Sequence, residues 1–435
     1  MKQLQCDVLV IGTGPAGLAA GYEAKQQGAE RVLLLERNDE LGGILPQCIH
    51  NGFGVREFGD DLTGPEYAYR WIAKAHEADL EILSETMVLD VGRDRRVVAS
   101  SRDHGLVEIV PRALVLAMGC RERPRGALAI PGSRPAGVYS AGTAQRLVNM
   151  EGYMPGRRFV ILGSGDIGMI MARRLTLEGA EVAAMFEILP YISGLRRNLV
   201  QCIRDFDIPL ELCTTITEVR GRDRVESVVV SGVDEQWRPL PGTEREIACD
   251  TLLLSVGLIP ENELSRMAGV AIDPITGGPY VDESFATNVP GIFAAGNVVH
   301  VYDLVDDVSE NARIAGRSAG RYVTEGAGAQ GALAEGAPSE GDAVRLVAGE
   351  NVHHVVPHTV HPARLEQEAV VVNLRVRQPI EAPVQVAVRA GDEALVSRRY
   401  RYARPSEMIA LTLPPRLAGA LAEHDTVTID VTEQR

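Results

Sequence analysis

The stretch Asp7-Val8-Leu9-Val10-Ile11-Gly12-Thr13-Gly14-Pro15-Ala16-Gly17-Leu18 decides the fold of this chain. In it an apolar run ends in three glycines with G-x-G-x-x-G spacing, and a helical segment follows. This order predicts a strand, a tight turn and a helix whose N-terminus accepts a pyrophosphate, because the glycines let the turn form, the phosphate approach and the helix pack on the strand. Residues 31–35 predict the next parallel strand, and Glu36 at its end is placed to accept hydrogen bonds from both ribose hydroxyls.

The same pattern occurs a second time in the chain. Apolar residues 158–162 lead into Gly163-Ser164-Gly165-Asp166-Ile167-Gly168, and the strand predicted for residues 181–186 ends at Glu187. In both copies the acidic residue lies 24 positions after the first glycine. A single glycine motif is weak support, but two copies with the same spacing, each between a strand and a helix, are specific. They predict two bound dinucleotides, and two such cofactors in one chain usually exchange electrons.

Further segments fit around these two units. Apolar strands are predicted before Gly119 and before Gly257, where each run stops. Residues 41–54 are too rich in glycine for a regular element and too apolar for a solvated loop, which predicts a buried loop that faces a ligand. Helices are predicted over residues 18–27, 67–78 and 308–324.

Composition excludes several classes of partner. The chain has 435 residues, 45% of them hydrophobic, and a formal net charge of -15, which argues against nucleic acid or an anionic membrane as partner. No stretch approaches the ~18 consecutive apolar residues of a membrane span, and we expect a cytoplasmic protein. The six cysteines form neither a CxxC nor a CxxxxC pair, so neither a zinc site nor a disulfide framework is predicted.

The end of the chain differs in pattern from the rest. Residues 326–343 are rich in Gly and Ala and predict a linker. Residues 344–435 predict a β-sandwich-like domain, with alternating strands at 369–377, 384–390, 395–402, 409–413 and 426–431. Four histidines there, at 353, 354, 358 and 361, suggest a metal site, but the sequence places no acidic partner near them and we predict no metal.

The two motifs together resemble those of the two-dinucleotide-binding-domain flavoproteins, the glutathione-reductase-like and pyridine-nucleotide-disulfide oxidoreductases. The resemblance covers about residues 5–325. It implies an α/β fold with two Rossmann-like domains, to which the C-terminal all-β domain is added. The implied FAD-binding domain is discontinuous, 1–121 and 257–325, and the implied NAD-binding domain is 122–256.

The same resemblance implies which residues hold each cofactor. For FAD they are Gly12, Gly14, Pro15, Ala16, Gly17, Glu36, Arg37, Gly43, Gln47, Gly119, Gly296 and Asn297. For NAD(H) they are Gly163, Gly165, Asp166, Ile167, Gly168, Glu187 and Gly257. The carboxylate of Glu187 favours NAD over NADP because it would repel the 2′-phosphate, while Arg196 and Arg197 leave NADP(H) open.

Two departures from the family pattern affect the chemistry. Asn297 stands where most members have Asp, so hydrogen bonding to a ribityl hydroxyl survives but the local charge is lost. Cys48 follows Gly43 without the CxxxxC pair of the disulfide reductases, so a dithiol mechanism is not expected. Cys48 and His50 are the catalytic candidates. His50 either assists proton transfer or only hydrogen-bonds, and Cys48 is either reactive or an inert packed thiol.

A narrower likeness suggests a partner. Four segments resemble the flavoprotein subunits related to opine oxidase, hydrogen cyanide synthase and the α subunit of sarcosine oxidase: residues 43–54, 130–138, 140–145 and 297–306. They also resemble the flavoproteins that are associated with glycerol-3-phosphate-dehydrogenase-like partners. The expected function is an FAD-dependent oxidoreductase that moves hydride or electrons between NAD(H) and another donor or acceptor, dependent on a partner subunit. Two alternatives stay open: a subunit oxidising an amine, opine or amino acid, and a non-catalytic electron-transfer or scaffold subunit. The substrate, the direction of electron flow and the oligomeric state also stay open.

Overall fold

The computed structural model describes residues 1–325 and 343–434. The chain divides into two compact units: Met1–Cys120 together with Pro260–Arg435, and Arg121–Ile259. The predicted linker, residues 326–343, lies outside the described residues except for its last position.

The first 120 residues build a mixed sheet around the opening motif. Their elements are β1 (Lys2–Ile11), α1 (Pro15–Gln26), β2 (Val32–Leu35), β3 (Asn51–Phe53), β4 (Leu62–Thr63), α2 (Gly64–Glu77), β5 (Glu81–Leu83), β6 (Thr86–Val91), β7 (Val97–Ser101) and β8 (Gly105–Leu116). Strands β5, β2, β1 and β8 lie side by side in that order and are parallel. The sheet continues from β8 through β7 and β6, which are antiparallel. The apolar side chains of β1 and β2 are almost fully buried, as expected for a parallel sheet covered on both faces.

Helix α2 begins earlier than the apolar periodicity predicts. Thr63 accepts a hydrogen bond from the backbone N–H of Glu66, while the Glu66 carboxylate accepts from the Thr63 backbone at 2.8 Å. This capping box satisfies two of the donors that a helix start leaves unpaired, so the helix starts at Gly64 rather than at residue 67.

The second unit repeats this architecture around the second motif. The elements from residue 120 to 260 are β9 (Cys120–Glu122), α3 (Arg125–Leu128), β10 (Val138–Ser140), α4 (Ala141–Asn149), β11 (Arg158–Leu162), α5 (Asp166–Leu177), β12 (Glu181–Phe186), α6 (Arg196–Asn198), β13 (Leu210–Glu211), β14 (Thr214–Gly221), β15 (Val225–Gly232), β16 (Arg245–Ala248), β17 (Thr251–Leu254) and β18 (Leu258–Pro260). Strands β10, β17, β11, β12 and β13 form a parallel sheet in that order. An antiparallel sheet of β14, β15 and β16 accompanies it.

After residue 260 the chain returns to the first sheet. Its elements are α7 (Glu263–Met267), β19 (Ile292–Ala294) and α8 (Val305–Thr324). Strand β19 pairs with β8 in parallel, and α8 packs against α1. The close approach of these helices needs Gly316, because a Cβ there would overlap the backbone of Ala20.

The C-terminal part consists of two sheets around their own apolar core. Its elements are β20 (Val344–Ala348), β21 (Val352–Val356), β22 (Thr359–Val360), α9 (Pro362–Leu365), β23 (Val370–Val376), β24 (Val384–Ala390), β25 (Glu393–Tyr400), β26 (Ile409–Leu413), α10 (Ala418–Leu421) and β27 (Thr426–Glu433). One sheet has the order β22, β20, β27, β24, β25, and the other has the order β21, β23, β26.

The predicted fold class is confirmed: parallel sheets with helices carry both glycine motifs, and a strand-rich part follows. The five strands predicted near the end of the chain all form, and three further strands, β20 to β22, were not predicted. Within the described residues no helix is both long and apolar enough to cross a membrane.

Candidate functional site

At two positions, Gly12 and Gly17, the turn between β1 and α1 has room for backbone only. Gly12 has a φ of +105°, and a Cβ there would stand 2.5 Å from the carbonyl oxygen of Ala117. A Cβ at Gly17 would overlap the carbonyl oxygen of Gly12. Helix α1 begins with Pro15 and has no acidic residue in its first turn. The positive end of its dipole is therefore available to an anion.

Glu36 is locked to this turn by its own hydrogen bonds. One carboxylate oxygen accepts from the Thr13 hydroxyl at 2.6 Å and from the Thr13 backbone N–H at 3.2 Å. The other accepts from the backbone N–H of Asn38 at 3.0 Å. These bonds fix the buried carboxylate beside the turn and leave acceptor capacity on it for a ribose hydroxyl.

Residues far along the chain close around the same turn. A Cβ at Gly43 would stand 2.9 Å from the Cα of Gly14, and one at Gly296 would stand 2.6 Å from the Cβ of Ala16. The Asn297 side-chain carbonyl accepts from the backbone N–H of Tyr302 at 3.1 Å. The structure thus brings Gly43, Gly296 and Asn297 to the first motif, as the resemblance implies.

The remaining residues predicted for this site differ in accessibility. Gly119 has a φ of +73° and open space where a Cβ would lie. Gln47 is buried in the loop after Gly43, and Arg37 is exposed next to Glu36. A glycine cradle, a bare helix N-terminus and a fixed ribose-binding carboxylate together fit the ADP part of FAD.

The second turn has the same construction. A Cβ at Gly163 would overlap the carbonyl oxygen of Ser255, and the Ser255 hydroxyl accepts from the Gly168 backbone N–H at 3.0 Å. Glu187 accepts from the Ser164 hydroxyl at 2.6 Å and from the Ser164 backbone N–H at 2.9 Å, on the same carboxylate oxygen. Ser164 and Glu187 therefore reproduce the pair formed by Thr13 and Glu36 in the first unit.

One charge distinguishes the second site from the first. Asp166 is the first residue of α5, and its carboxylate accepts from the Leu195 backbone N–H at 2.8 Å and from the Asn198 side chain at 2.6 Å. The Ser193 hydroxyl meanwhile donates to Glu187 at 3.0 Å. The loop after Glu187 is thus tied across the helix N-terminus, the position at which such domains hold a pyrophosphate. The glycines and the ribose acid fit NAD, whereas this carboxylate opposes the phosphate charge.

Two predicted residues take no part in these contacts. Ile167 is half-buried in the first turn of α5. Gly257 has a φ of +96° and open space around its absent side chain, like Gly119. Arg196 and Arg197 are exposed, so the choice between NAD and NADP stays a prediction.

Replacing Asp166 by Asn is expected to strengthen NADH binding about twofold to fivefold. The amide oxygen still accepts the hydrogen bonds that hold the loop, while the charge at the helix start is removed, and such a charge changes the binding free energy by about 0.3–1 kcal/mol. Titration calorimetry with NADH measures the effect. Asp205→Asn, on the same unit but at an exposed position, is the control. Equal or weaker binding by the Asp166 variant would contradict the electrostatic interpretation.

The catalytic candidates lie in the loop between β2 and β3. Burial raises the pKa of the Cys48 thiol to about 12, so it remains protonated at neutral pH. The ring of His50 lies 5.1 Å, centroid to centroid, from the ring of Phe53. The catalytic roles predicted for Cys48 and His50 stay predictions, and a thiolate at Cys48 is disfavoured.

The sequence analysis did not predict two groups of contacts: those of the two acids with motif hydroxyls, and those of C-terminal histidines with acidic residues. The hydroxyl residues Thr13 and Ser164 occupy equivalent motif positions, and superposing the two motifs would have revealed them. The expectation that the C-terminal histidines lack acidic partners is wrong. His361 Nδ1 lies 3.1 Å from the Glu283 carboxylate, and His358 Nε2 lies 3.5 Å from Asp273. Both acids come from segments more than 70 positions earlier, which local sequence cannot indicate.

Comparison with known proteins places these sites in a context. Residues 6–319 match the family described as pyridine nucleotide-disulphide oxidoreductase. The chain is 26% identical over 289 residues to the hydrogen cyanide synthase subunit HcnB of Pseudomonas protegens, an overlap of 60% of this chain and 58% of that protein. It is 30% identical over 300 residues to the ferredoxin reductase component of a Cupriavidus chlorobenzene dioxygenase, covering 67% of this chain and 66% of that protein. The chain therefore matches less than two thirds of the length of these relatives.

A solved structure has the same fold over the two glycine motifs. Thioredoxin reductase of T. acidophilum superposes with a TM-score of 0.60 at 22% sequence identity, covering 73% of this chain and 98% of that one. At this identity the likeness describes the fold alone.

Proposed function

This chain belongs to the pyridine nucleotide-disulphide oxidoreductase family, whose members use FAD and NAD(P)H, and on that premise we propose that it carries electrons between NAD(H) and a partner protein. The predicted family and its two cofactor types are confirmed at this level. NAD in preference to NADP, the direction of electron flow and the site residues belong to the proposal. So does a cytoplasmic location.

The observation that carries the proposal is the duplicated pair of acid and hydroxyl residues. Glu36 with Thr13 and Glu187 with Ser164 form the same hydrogen bonds in two separate units. A single such pair supports one bound nucleotide. Two pairs support a chain built for two dinucleotides, which is the requirement for passing electrons from one to the other.

Residues of the first unit hold FAD in this proposal. Bound there, FAD accepts electrons in pairs or releases them singly. The turn at Gly12 and Gly14 approaches the pyrophosphate, and Glu36 binds the adenosine ribose. At the start of α8, Asp306 accepts from the backbone N–H groups of Gly54 at 3.1 Å and Arg56 at 3.0 Å. This contact anchors the residues directly after β3, the strand that ends the loop with the catalytic candidates.

His50 is the residue of this loop suited to proton transfer. A neutral imidazole donates from one ring nitrogen and accepts at the other, so it can pass a proton. Cys48 is given no redox step, because burial raises the pKa of its thiol and leaves too little thiolate at neutral pH. The proposal therefore differs from a dithiol reductase, in which paired cysteines are required.

A partner is part of the proposal. One relative is named as a subunit of hydrogen cyanide synthase and another as the reductase component of a dioxygenase. A reductase component has to deliver electrons to another protein. By analogy this chain works with a partner oxidoreductase subunit, whose substrate the present residues do not identify.

A second candidate function is favoured by Asp166. A carboxylate at the start of α5 opposes a pyrophosphate, which is consistent with a second site that holds a nucleotide without redox exchange. In that case the chain is a flavoprotein subunit that oxidises an amine, opine or amino acid.

Steady-state assays with ferricyanide as electron acceptor separate these functions. We expect NADH to support ferricyanide reduction by the purified flavoprotein and NADPH to support less. Activity with amine or opine donors but not with NADH would favour the second candidate. If neither class of donor reduces ferricyanide, the chain is an electron-transfer or scaffold subunit and the proposed activity is wrong.

A further inference from the structure

A cluster of buried polar side chains, called the polar pocket below, lies beside the segment that carries Asn297, and neither glycine motif uses it. The backbone leaves Asn297 through His300 and Tyr302, whose side chains are 1% and 7% exposed. Both ring nitrogens of His300 and the hydroxyl of Tyr302 are buried without a hydrogen-bond partner among the described residues. The two rings are 4.1 Å apart, centroid to centroid.

The C-terminal sheet of β21, β23 and β26 covers this pocket. His354 pairs with Arg375 across β21 and β23, so their side chains share one face of the sheet. The Arg375 guanidinium donates to the Val301 carbonyl at 3.1 Å and pairs with Asp303. These contacts fix the polar face of the sheet against residues 301–303.

This face adds further polar atoms to the pocket. Nε2 of His354 and Nδ2 of Asn373 are also buried without a partner in the described part of the chain. The His354 ring lies 5.7 Å from the His300 ring, centroid to centroid. An unsatisfied buried polar group costs about 1–3 kcal/mol, so such a cluster is expected to enclose water.

His353 connects the pocket to the surface. Its Nδ1 lies 2.9 Å from Nδ1 of His354, although adjacent residues of a regular strand point to opposite faces. The ladder between β21 and β23 shifts register between Val352 and His354, and such a bulge re-aims side chains. His353 is exposed, so one end of the chain of rings is in contact with solvent.

We propose that His353, His354, His300 and Tyr302, with water between the buried rings, form a proton-transfer chain from solvent to the segment that holds Asn297. A neutral imidazole donates from one nitrogen and accepts at the other, so a row of such rings can pass a proton along. The backbone N–H of Tyr302 donates to the side-chain carbonyl of Asn297. The inner end of the proton-transfer chain therefore lies next to a residue predicted to bind FAD.

The charges around the rings keep them neutral. Burial lowers the pKa of His300 well below its usual value and lowers that of His354 to about 3. Arg375 and His358 act in the same direction on both rings, and Asp273 opposes them at His354. Burial raises the pKa of Tyr302, with Asp307 acting in the same direction. The rings and the Tyr302 hydroxyl are therefore uncharged at neutral pH, and the cation that acts on both rings, Arg375, is paired with Asp303.

The need for proton transfer comes from the proposed function, and in this respect the inference rests on that function. Oxidation of NADH yields NAD⁺, one proton and two electrons. If the electrons leave singly to a partner, that proton is released to solvent. If the acceptor takes two electrons and two protons, one further proton is taken up. Either way one proton per electron pair crosses between the site and solvent.

The rate at which the His300 ring N–H exchanges with solvent tests the proton-transfer chain without catalytic turnover. Nitrogen-15 NMR of the oxidised flavoprotein measures the exchange rate. We expect His354→Gln to slow it at least about tenfold, because glutamine forms hydrogen bonds but cannot relay a proton by changing tautomer. Should His354→Gln fail to fold, His353→Ala serves instead, with added imidazole expected to restore the rate. His104→Ala, an exposed histidine elsewhere, is the control.

If the exchange rate of the His300 ring N–H is unchanged in the His354 and His353 variants, the proposal is wrong and the pocket only holds water. A second readout separates this from failure of the proposed function. With a pH indicator, His353→Ala should slow proton exchange during NADH oxidation relative to flavin bleaching. If NADH fails to bleach the flavin while the ring exchange still slows, the proton chain stands and the proposed function fails.

Discussion

Replacing Glu36 by Ala will leave the purified chain largely without flavin, whereas Glu187→Ala will retain flavin and lose NADH binding. Each carboxylate accepts from the hydroxyl of its motif residue and from two backbone N–H groups, and Glu187 also accepts from the Ser193 hydroxyl. Removing either carboxylate therefore strands buried donors as well as the proposed ribose contact. Charged hydrogen bonds contribute about 1.5–3 kcal/mol each, and a loss of about 3 kcal/mol weakens binding more than 100-fold. Visible flavin absorbance and calorimetry with NADH measure the two effects.

The two variants control for each other, since the same substitution is made in equivalent surroundings. Glu36→Gln and Glu187→Gln keep one acceptor oxygen and should lose less affinity than the alanine variants. If Glu187→Ala also loses flavin, or if Glu36→Ala keeps it, the assignment of FAD to the first motif and NAD to the second is wrong.

Gly17→Ala is expected to be the most destabilising change at either turn. A methyl group there would overlap the carbonyl oxygen of Gly12, which is backbone and cannot move without opening the turn. The loss in unfolding free energy should reach about 3 kcal/mol, at the upper end for overpacking, and flavin should be lost as well. Urea unfolding followed by circular dichroism and by flavin fluorescence measures both.

The equivalent change in the second motif provides the comparison. At Gly168 a Cβ would stand 2.7 Å from the Cβ of Ser255 and 3.1 Å from the carbonyl oxygen of Gly163. The closest contact here is with a side chain, and the backbone oxygen is farther away than the one at Gly17. Gly168→Ala should therefore cost less and leave flavin bound. Equal destabilisation by the two variants would contradict the difference between the two turns.

Much of the fold follows from local pattern. The spacing of Gly12, Gly14 and Gly17 predicts strand, turn and helix, and at Gly12 and Gly17 the structure has no room for a side chain. Glu36 ends the next strand at a distance set by the length of one helix. The strands near the end of the chain were predicted from another local pattern, the alternation of apolar and polar residues. Helix α2 started earlier than predicted because its capping box, rather than its apolar stripe, sets its first residue.

From the residue pattern alone, the sites could be predicted only where their members are neighbours in sequence or in the repeat, and the distant Gly43, Gly296 and Asn297 came from the family resemblance. Glu187 was found because it repeats Glu36, whereas the contacts of Asp306 with Gly54 and of Glu283 with His361 join segments far apart in the chain. The same holds for His300 and His354, which approach each other only because the C-terminal sheet packs on residues 301–303. Sequence periodicity reports which face a residue occupies, and it contains no information on which distant face lies opposite.

Anaerobic titration of the purified flavoprotein with NADH is the most direct measurement of electron exchange between the two nucleotides. With both sites functional, about one NADH should bleach each flavin rapidly, and the Glu187→Ala variant should bleach at least about 100-fold more slowly at the same low NADH concentration. A wild-type flavin that stays oxidised in the presence of excess NADH would contradict the proposed function.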